Sequence, residues 1–346
     1  RQVIIDTPSG GVITISPSLA LPIILESTII IDKHLTIISY TNSVITAADT
    51  GVFDYHVFNC LGGSQVTFTG ITFQGNSLFD NLGAVRSVAA SREDGTSLTI
   101  NQCLVDGWNN QNSPSIGNFA AVIAGRNVNM YSYDSIFSNN NVNFGPLFLG
   151  LGGTGFENAL VNFVSNRCQV LNNTGSRIVH GVGNAGTSIP GSCNATISQC
   201  IMRGNNAPGT ISFHAFGSGE NSSVRVEDCL FEDNEGGSTV GFSASATFSP
   251  FSMTRNILRN NTSNANRVQI FAGGSAQANI TNCIIDSNTS ANGVVIRTNY
   301  NVLIENCTVS NNTASEVGTV ELPSANGIEI FGNAEATVIN TKSQSL

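Results

Sequence analysis

VRVEDCLFEDN, Val224 to Asn234, alternates apolar and polar side chains, puts a cysteine at its sixth position and closes on an asparagine. A period of two is the signature of a strand. The same template, apolar-x-apolar-x-x-(Cys or small)-x-apolar-x-x-Asn, returns along the whole chain. Its cysteine position is filled by Ile71, Cys103, Ser135, Cys168, Cys200, Cys229, Asn256, Cys283, Cys307 and Thr341, at successive spacings of 32, 32, 33, 32, 29, 27, 27, 24 and 34 residues. An incomplete earlier copy sits at Leu35, in LTIISYTNSVI.

One unit of this length cannot bury its own apolar face, so copies must stack on one another. Alternation and β-branched residues exclude the helical repeats of similar period. Two or three short strands per copy, joined by Gly and Asn turns, make a coil in which each copy lies ~4.8 Å above the last. The expectation is an all-β, single-stranded parallel β-helix of about 10–11 rungs. Residues 31–346 would form the solenoid, and residues 1–30 an N-terminal cap or opening strands.

Two columns fix the register. Five residues after the cysteine position come Asn76, Trp108, Asn140, Asn173, Asn205, Asn234, Asn261, Asn288, Asn312 and Leu346. Amides stacked one rung apart can donate and accept along the axis, so this column is read as a structural ladder. Two residues after the cysteine position, Phe73, Val105, Phe137, Val170, Met202, Phe231, Leu258, Ile285 and Val309 form an apolar stack that must line the core.

Composition agrees. Of 346 residues, 40% are hydrophobic but only 11% charged, where roughly 25% charged is ordinary. A net charge of −9 with only 14 Lys and Arg argues against nucleic acid as a partner. No apolar run approaches the ~20 residues of a membrane-spanning helix. The chain starts at Arg1 without a basic-plus-apolar leader, as expected of a mature chain after signal removal or of an excised segment.

The stretch IDKHLTIISYTNSVITAADTGVFDYHVFNCLGGSQVTFTGITFQGN, from Ile31, followed by the N-C-x-apolar-x-x-N copies, resembles the pectin-lyase-like right-handed β-helix superfamily. The units Phe73 to Asn76, Phe137 to Asn140 and Phe231 to Asn234, with Gly209, Gly293 and Gly318 placed among the copies, are similar to polymorphic outer-membrane-protein-type surface repeats. The resemblance implies a right-handed coil. It does not choose an activity, because such folds carry lyases, hydrolases, adhesins and tailspikes alike.

Six of the eight cysteines share one column; Cys60 and Cys193 lie outside it. There is no C-x-x-C and no nearby His pair, so no metal site and no cofactor are expected. The column reads either as buried thiols filling small spaces or as one or two disulfides, with 168/200/229 and 283/307 the adjacent candidates. The paired-Asp and Gly-His-Gly signatures of the superfamily's hydrolases have no counterpart, and no catalytic residue is assigned.

Three residues after the cysteine position, Arg203, Glu232, Arg259 and Asp286 alternate in sign, as an exposed ion-pair ladder would. His180 and His214 each follow a glycine by five residues in consecutive copies and should stack, either as a metal or acid–base pair or as a plain surface pair. Trp108, Tyr131 and Tyr133 are candidates for a glycan contact, the two tyrosines sharing one strand face. One residue after the cysteine position, Leu104, Ile136, Ile201, Leu230, Ile257 and Ile284 form an outward apolar stripe, a candidate self-association surface unless residues 1 to 30 fold over it.

Nine N-x-S/T sequons begin at Asn172, Asn194, Asn221, Asn260, Asn261, Asn279, Asn288, Asn306 and Asn311. Of these, Asn172, Asn260 and Asn311 precede ladder positions and point outward as plausible acceptors. The expected protein is a secreted or cell-surface β-helix with a structural or adhesive role. Its expected partners are itself, as homo-oligomer or filament, and surface glycans. The competing class is a polysaccharide lyase or glycoside hydrolase.

Overall fold

The computed structural model describes residues 1–19, 22–52, 56–75, 87–91, 95–108, 122–124, 128–141, 149–151, 160–175, 179–182, 192–217, 222–263, 270–290, 296–298, 301–314, 328–330, 336–339 and 342–344. Every strand pairing among them is parallel, and each strand pairs with the corresponding strand one coil before and after, as for Leu104 with Thr72 below and Ile136 above. The chain therefore winds as a parallel β-helix.

Three faces recur. Face A carries strands such as Ser97–Asn101, Val128–Tyr133 and Leu160–Asn166. Face B is a sheet of twelve strands, mostly of three residues, from Ile23–Ser27 to Lys342–Gln344. Face C includes Ile29–Ile31, His56–Cys60 and Val179–Val182.

One face-B strand per coil makes twelve coils among the described residues, one or two more than the repeat count suggests. The first coil lies in residues 1–30 and just beyond. After a single helical turn at Gln2–Asp6, Gly11–Ile15 pairs in register with Leu35–Ser39, and Ile29–Ile31 with Phe58 to Cys60. A boundary at residue 30 falls inside a strand. This first copy lacks both the Cys and the Asn of the template, which is why repeat matching passes over it.

The corners on either side of face B are each turned by one residue in the left-handed region. At the corner from A to B this residue directly precedes the cysteine position: Gly70, Gln102, Asp134, Arg167, Gln199, Asp228, Arg255, Asn282 and Asn306, the non-glycines with φ between 49° and 56°. At the next corner it directly precedes the ladder: Gly107, Asn139, Asn172, Gly204, Asp233, Asn260, Ser287 and Asn311. Only Gly, Asn and Asp reach this region cheaply. Twelve of these seventeen corner residues are accordingly Gly, Asn or Asp.

The core is a set of vertical stacks. Phe73, Val105, Phe137, Val170, Met202, Phe231, Leu258, Ile285 and Val309 are all buried on the inner side of face B. Near the N-terminal end Phe58, Phe68 and Phe73 pack with ring centroids 4.9 to 6.1 Å apart, two of the three pairs edge to face.

The cysteine column has a physical logic. The backbone N–H of Cys168 points at Cys200 Sγ (3.4 Å), that of Cys200 at Cys229 Sγ (3.5 Å) and that of Cys283 at Cys307 Sγ (3.4 Å). Where the column is not cysteine the same bond is made by oxygen: Cys103 N–H to Ser135 Oγ (3.1 Å) and Cys229 N–H to Asn256 Oδ1 (3.0 Å). From Ser135 to Cys307 the position holds a small side chain with an acceptor, whereas Ile71 lower in the column has none. All eight cysteines are free and buried, so the disulfide alternative is not what this structure contains. Burial pushes the Cys60 thiol up to about 12 and the Cys103 thiol up to about 11. Such thiols are poor nucleophiles. Titration with a thiol reagent is expected to find almost none of the eight in the folded chain and all eight in denaturant.

Candidate functional site

The asparagine column is a continuous ladder. Side-chain Nδ2 of Asn140 donates to Asn173 Oδ1 (2.9 Å), and the relay runs on through Asn205 (3.0 Å), Asn234 (2.9 Å), Asn261 (2.9 Å), Asn288 (3.0 Å) and Asn312 (3.0 Å). Each Nδ2 also donates to a carbonyl one coil back, as Asn234 does to Met202 O (2.8 Å), and each next Oδ1 accepts a backbone N–H, as Asn261 does from Asn234 (3.0 Å). Both amide hydrogens and both oxygen lone pairs of a central Asn are thus used, which suits their full burial.

Trp108 stands in this column and corrects one expectation. It is 6% exposed, its N–H bonds Asn140 Oδ1 (3.1 Å), and its indole Nε1 donates to Phe73 O (3.1 Å), the role that Nδ2 plays in the other coils. A side chain so placed cannot meet a sugar. Among the described residues it is the end piece of the ladder, where an indole offers one donor and a large apolar body. Asn76, Thr341 and Leu346 lie outside the described residues.

Tyr131 and Tyr133 do face outward. Both sit half-buried on strand Val128–Tyr133, with ring planes 7° from parallel and centroids 6.3 Å apart. Burial, and then the neighbouring Tyr131, hold the Tyr133 hydroxyl above its ordinary value, so it stays a neutral donor.

Around the pair, the register aligns three outward positions on each of five strands, from Gln65–Thr69 to Ser192–Ser198, and none of these positions is charged. They offer amides and hydroxyls: Thr99 and Asn101 in the coil before the tyrosines, Asn166, Thr196 and Ser198 in the coils after. Asn162 Nδ2 donates to Asn129 Oδ1 (2.8 Å) and Asn194 Nδ2 to Asn162 Oδ1 (3.3 Å), a second, outer amide ladder. The sequence reading missed it, although spacings of 33 and 32 residues match the repeat. Across five coils this face is about 19 Å tall.

Ion pairs border the face. Arg167 clasps Asp134 through two bonds of 2.6 and 2.7 Å at the corner, and Arg225 meets Glu227 (2.7 Å) in the next coil up. Among the described residues, the carboxylates with shifted titration all lie below their usual range. Asp134 and Asp228 are held down by hydrogen bonds from Arg167 and Arg255. Burial works upward on Glu232 but is outweighed by Arg259 and Arg203. It works upward on Asp106 too, against hydrogen bonds from Ser138, Gln74 and Asn139. Asp286 is lowered chiefly by its bond from Ser310. A general acid for glycoside cleavage needs the opposite shift.

His180 and His214 are register partners on face C. The stripe residues Leu104, Ile136, Ile201, Leu230, Ile257 and Ile284 lie in one outward file on face B, broken by Gln169 between Ile136 and Ile201; Ile257 and Ile284 are 36% and 44% exposed. Asn172, Asn260 and Asn311 are exposed, whereas Asn261 and Asn288 are buried in the ladder and closed to modification. Among the described residues no group of three or more His, Cys, Asp or Glu is arranged to hold a metal ion, and no helix is long and apolar enough to cross a membrane.

A family model agrees with this winding over part of the chain. Residues 243–344 match the family model described as right handed beta helix region. Among solved structures the chain is similar to a polygalacturonase from Erwinia carotovora ssp. carotovora, at 9% identity and a TM-score of 0.27, over 92% of this chain and 99% of that one. No curated protein matches in sequence. The parallel pairing of face B runs unbroken from the matched segment back to Ile23–Ser27 in the first coil, so the chain folds throughout as the right-handed parallel β-helix that the matched segment shows.

Proposed function

We propose that this β-helix is a rigid, non-catalytic element, structural or adhesive, that holds an uncharged polysaccharide on face A around Tyr131 and Tyr133. The parallel tyrosine pair carries the reading: two flat apolar surfaces at fixed spacing, set in a field of amides and hydroxyls without charge. Sugar rings have an apolar side that stacks on such faces and hydroxyls that exchange bonds with such groups. An acidic glycan is disfavoured, because the face offers it no cation. A secreted or cell-surface location belongs to the same proposal, with Asn172, Asn260 and Asn311 as the glycosylation sites.

Isothermal titration with neutral hexasaccharides and with an oligogalacturonate tests it. Binding of a neutral oligosaccharide and a loss of at least about tenfold, ~1.4 kcal/mol, in the Tyr131→Ala/Tyr133→Ala variant is the expected result. Equal affinity in the variant, or preference for the acidic sugar, would overturn the reading.

A further inference from the structure

Face B presents two adjacent outward columns over four successive coils. One is apolar: Ile201, Leu230, Ile257 and Ile284. The other, two residues along each strand, reads Arg203, Glu232, Arg259 and Asp286, that is plus, minus, plus, minus. Within the chain Glu232 is gripped by Arg203 (2.6 Å) and by Arg259 Nε. Asp286 accepts from Ser310 (2.6 Å) and Asn311 (2.9 Å) but meets no guanidinium among the described residues.

A ladder of alternating sign with an even number of members is complementary to its own reversal. We propose that two copies of this chain pair antiparallel through face B, about a two-fold axis parallel to the strands and midway between Leu230 and Ile257. That axis sets Ile201 against the partner's Ile284 and Leu230 against the partner's Ile257. It also sets Arg203 against the partner's Asp286, Glu232 against the partner's Arg259, and the polar break at Gln169 against the partner's Thr308. Parallel pairing in register would oppose like charges, so the pattern selects the antiparallel arrangement.

Eight overlapping coils, each about 10 Å wide, cover about 400 Å² per partner, against ~800 Å² in a standard interface. Association is therefore weak and concentration-dependent. This inference does not depend on the glycan reading, since it uses a different face.

Sedimentation velocity of the full chain from about 10 μM to 1 mM tests it. The expected result is a reversible monomer–dimer equilibrium, weakened at least about tenfold by Arg203→Asp or by Asp286→Arg, each of which makes two like-charge contacts per dimer. The double variant Arg203→Asp/Asp286→Arg disturbs the ladder within each chain more than either single change, yet restores the opposed charges, and should recover the dimer to within about threefold. A wild-type monomer at 1 mM, a single variant that dimerises like wild type, or a double variant no better than the singles would overturn the proposal.

Discussion

Asn234→Leu is expected to cost about 4 kcal/mol, read from urea denaturation with the wild type as reference. The estimate follows from what is orphaned rather than what is removed. Without the Asn234 amide, the backbone N–H and Nδ2 of Asn205 both lose their acceptor, and Met202 O loses its donor, all in a buried file. Each stranded group costs about 1–3 kcal/mol, and the apolar surface of leucine returns part of the total. Asn312→Leu, at the half-buried end of the ladder, should cost about half as much. Ser252→Ala, on the outer side of face A, should stay within about 0.5 kcal/mol. Equal losses at Asn234 and Ser252 would mean that the ladder contributes nothing particular.

Gly236→Ala should destabilise by at least about 3 kcal/mol. Gly236 has φ of 129°, and a β-carbon there would stand 1.9 Å from Ala207 O and 2.3 Å from Ala207 C, the backbone of the preceding coil. No rotamer relieves a clash with a carbonyl, so the two coils would have to part. Gly10→Ala is the control. Its φ is also positive, at 82°, but nothing lies within 4 Å, so only the backbone term of about 1 kcal/mol remains. If both variants lose the same stability, conformational preference alone is at work and the close approach between coils is irrelevant.

Much of this architecture is legible in the chain because a solenoid repeats its physics. The column of Asn140 to Asn312 and the stack from Phe73 to Val309 appear in the sequence at the spacing the structure uses, since each coil presents the same environment to the same position. What escaped reading depends on contacts that a template does not encode. The first coil escaped because it carries neither Cys nor Asn. Trp108 looked like an exposed aromatic because the sequence shows it standing in the Asn column but not that its indole takes over the amide's donation, here to Phe73 O. The cysteine column looked like a choice between filler and disulfide. Its real requirement, an acceptor for the preceding coil's corner N–H, unites Cys, Ser135 and Asn256 in one role. The left-handed corners were hidden too, because Arg167, Gln199 and Ser287 occupy positions where Asn or Gly would have been recognised. On face A the tyrosines were found from their spacing, whereas the outer ladder of Asn129, Asn162 and Asn194 was lost among the chain's many asparagines.

Proton exchange at the asparagine side-chain amides, followed by NMR, bears most directly on the winding that aligns these residues. The NH2 groups of Asn173, Asn205, Asn234, Asn261 and Asn288 should exchange as slowly as core backbone amides, while those of exposed Asn172 and Asn260 exchange freely. Free exchange at the five buried positions would contradict the stacked file, and with it the coil on which both faces are built.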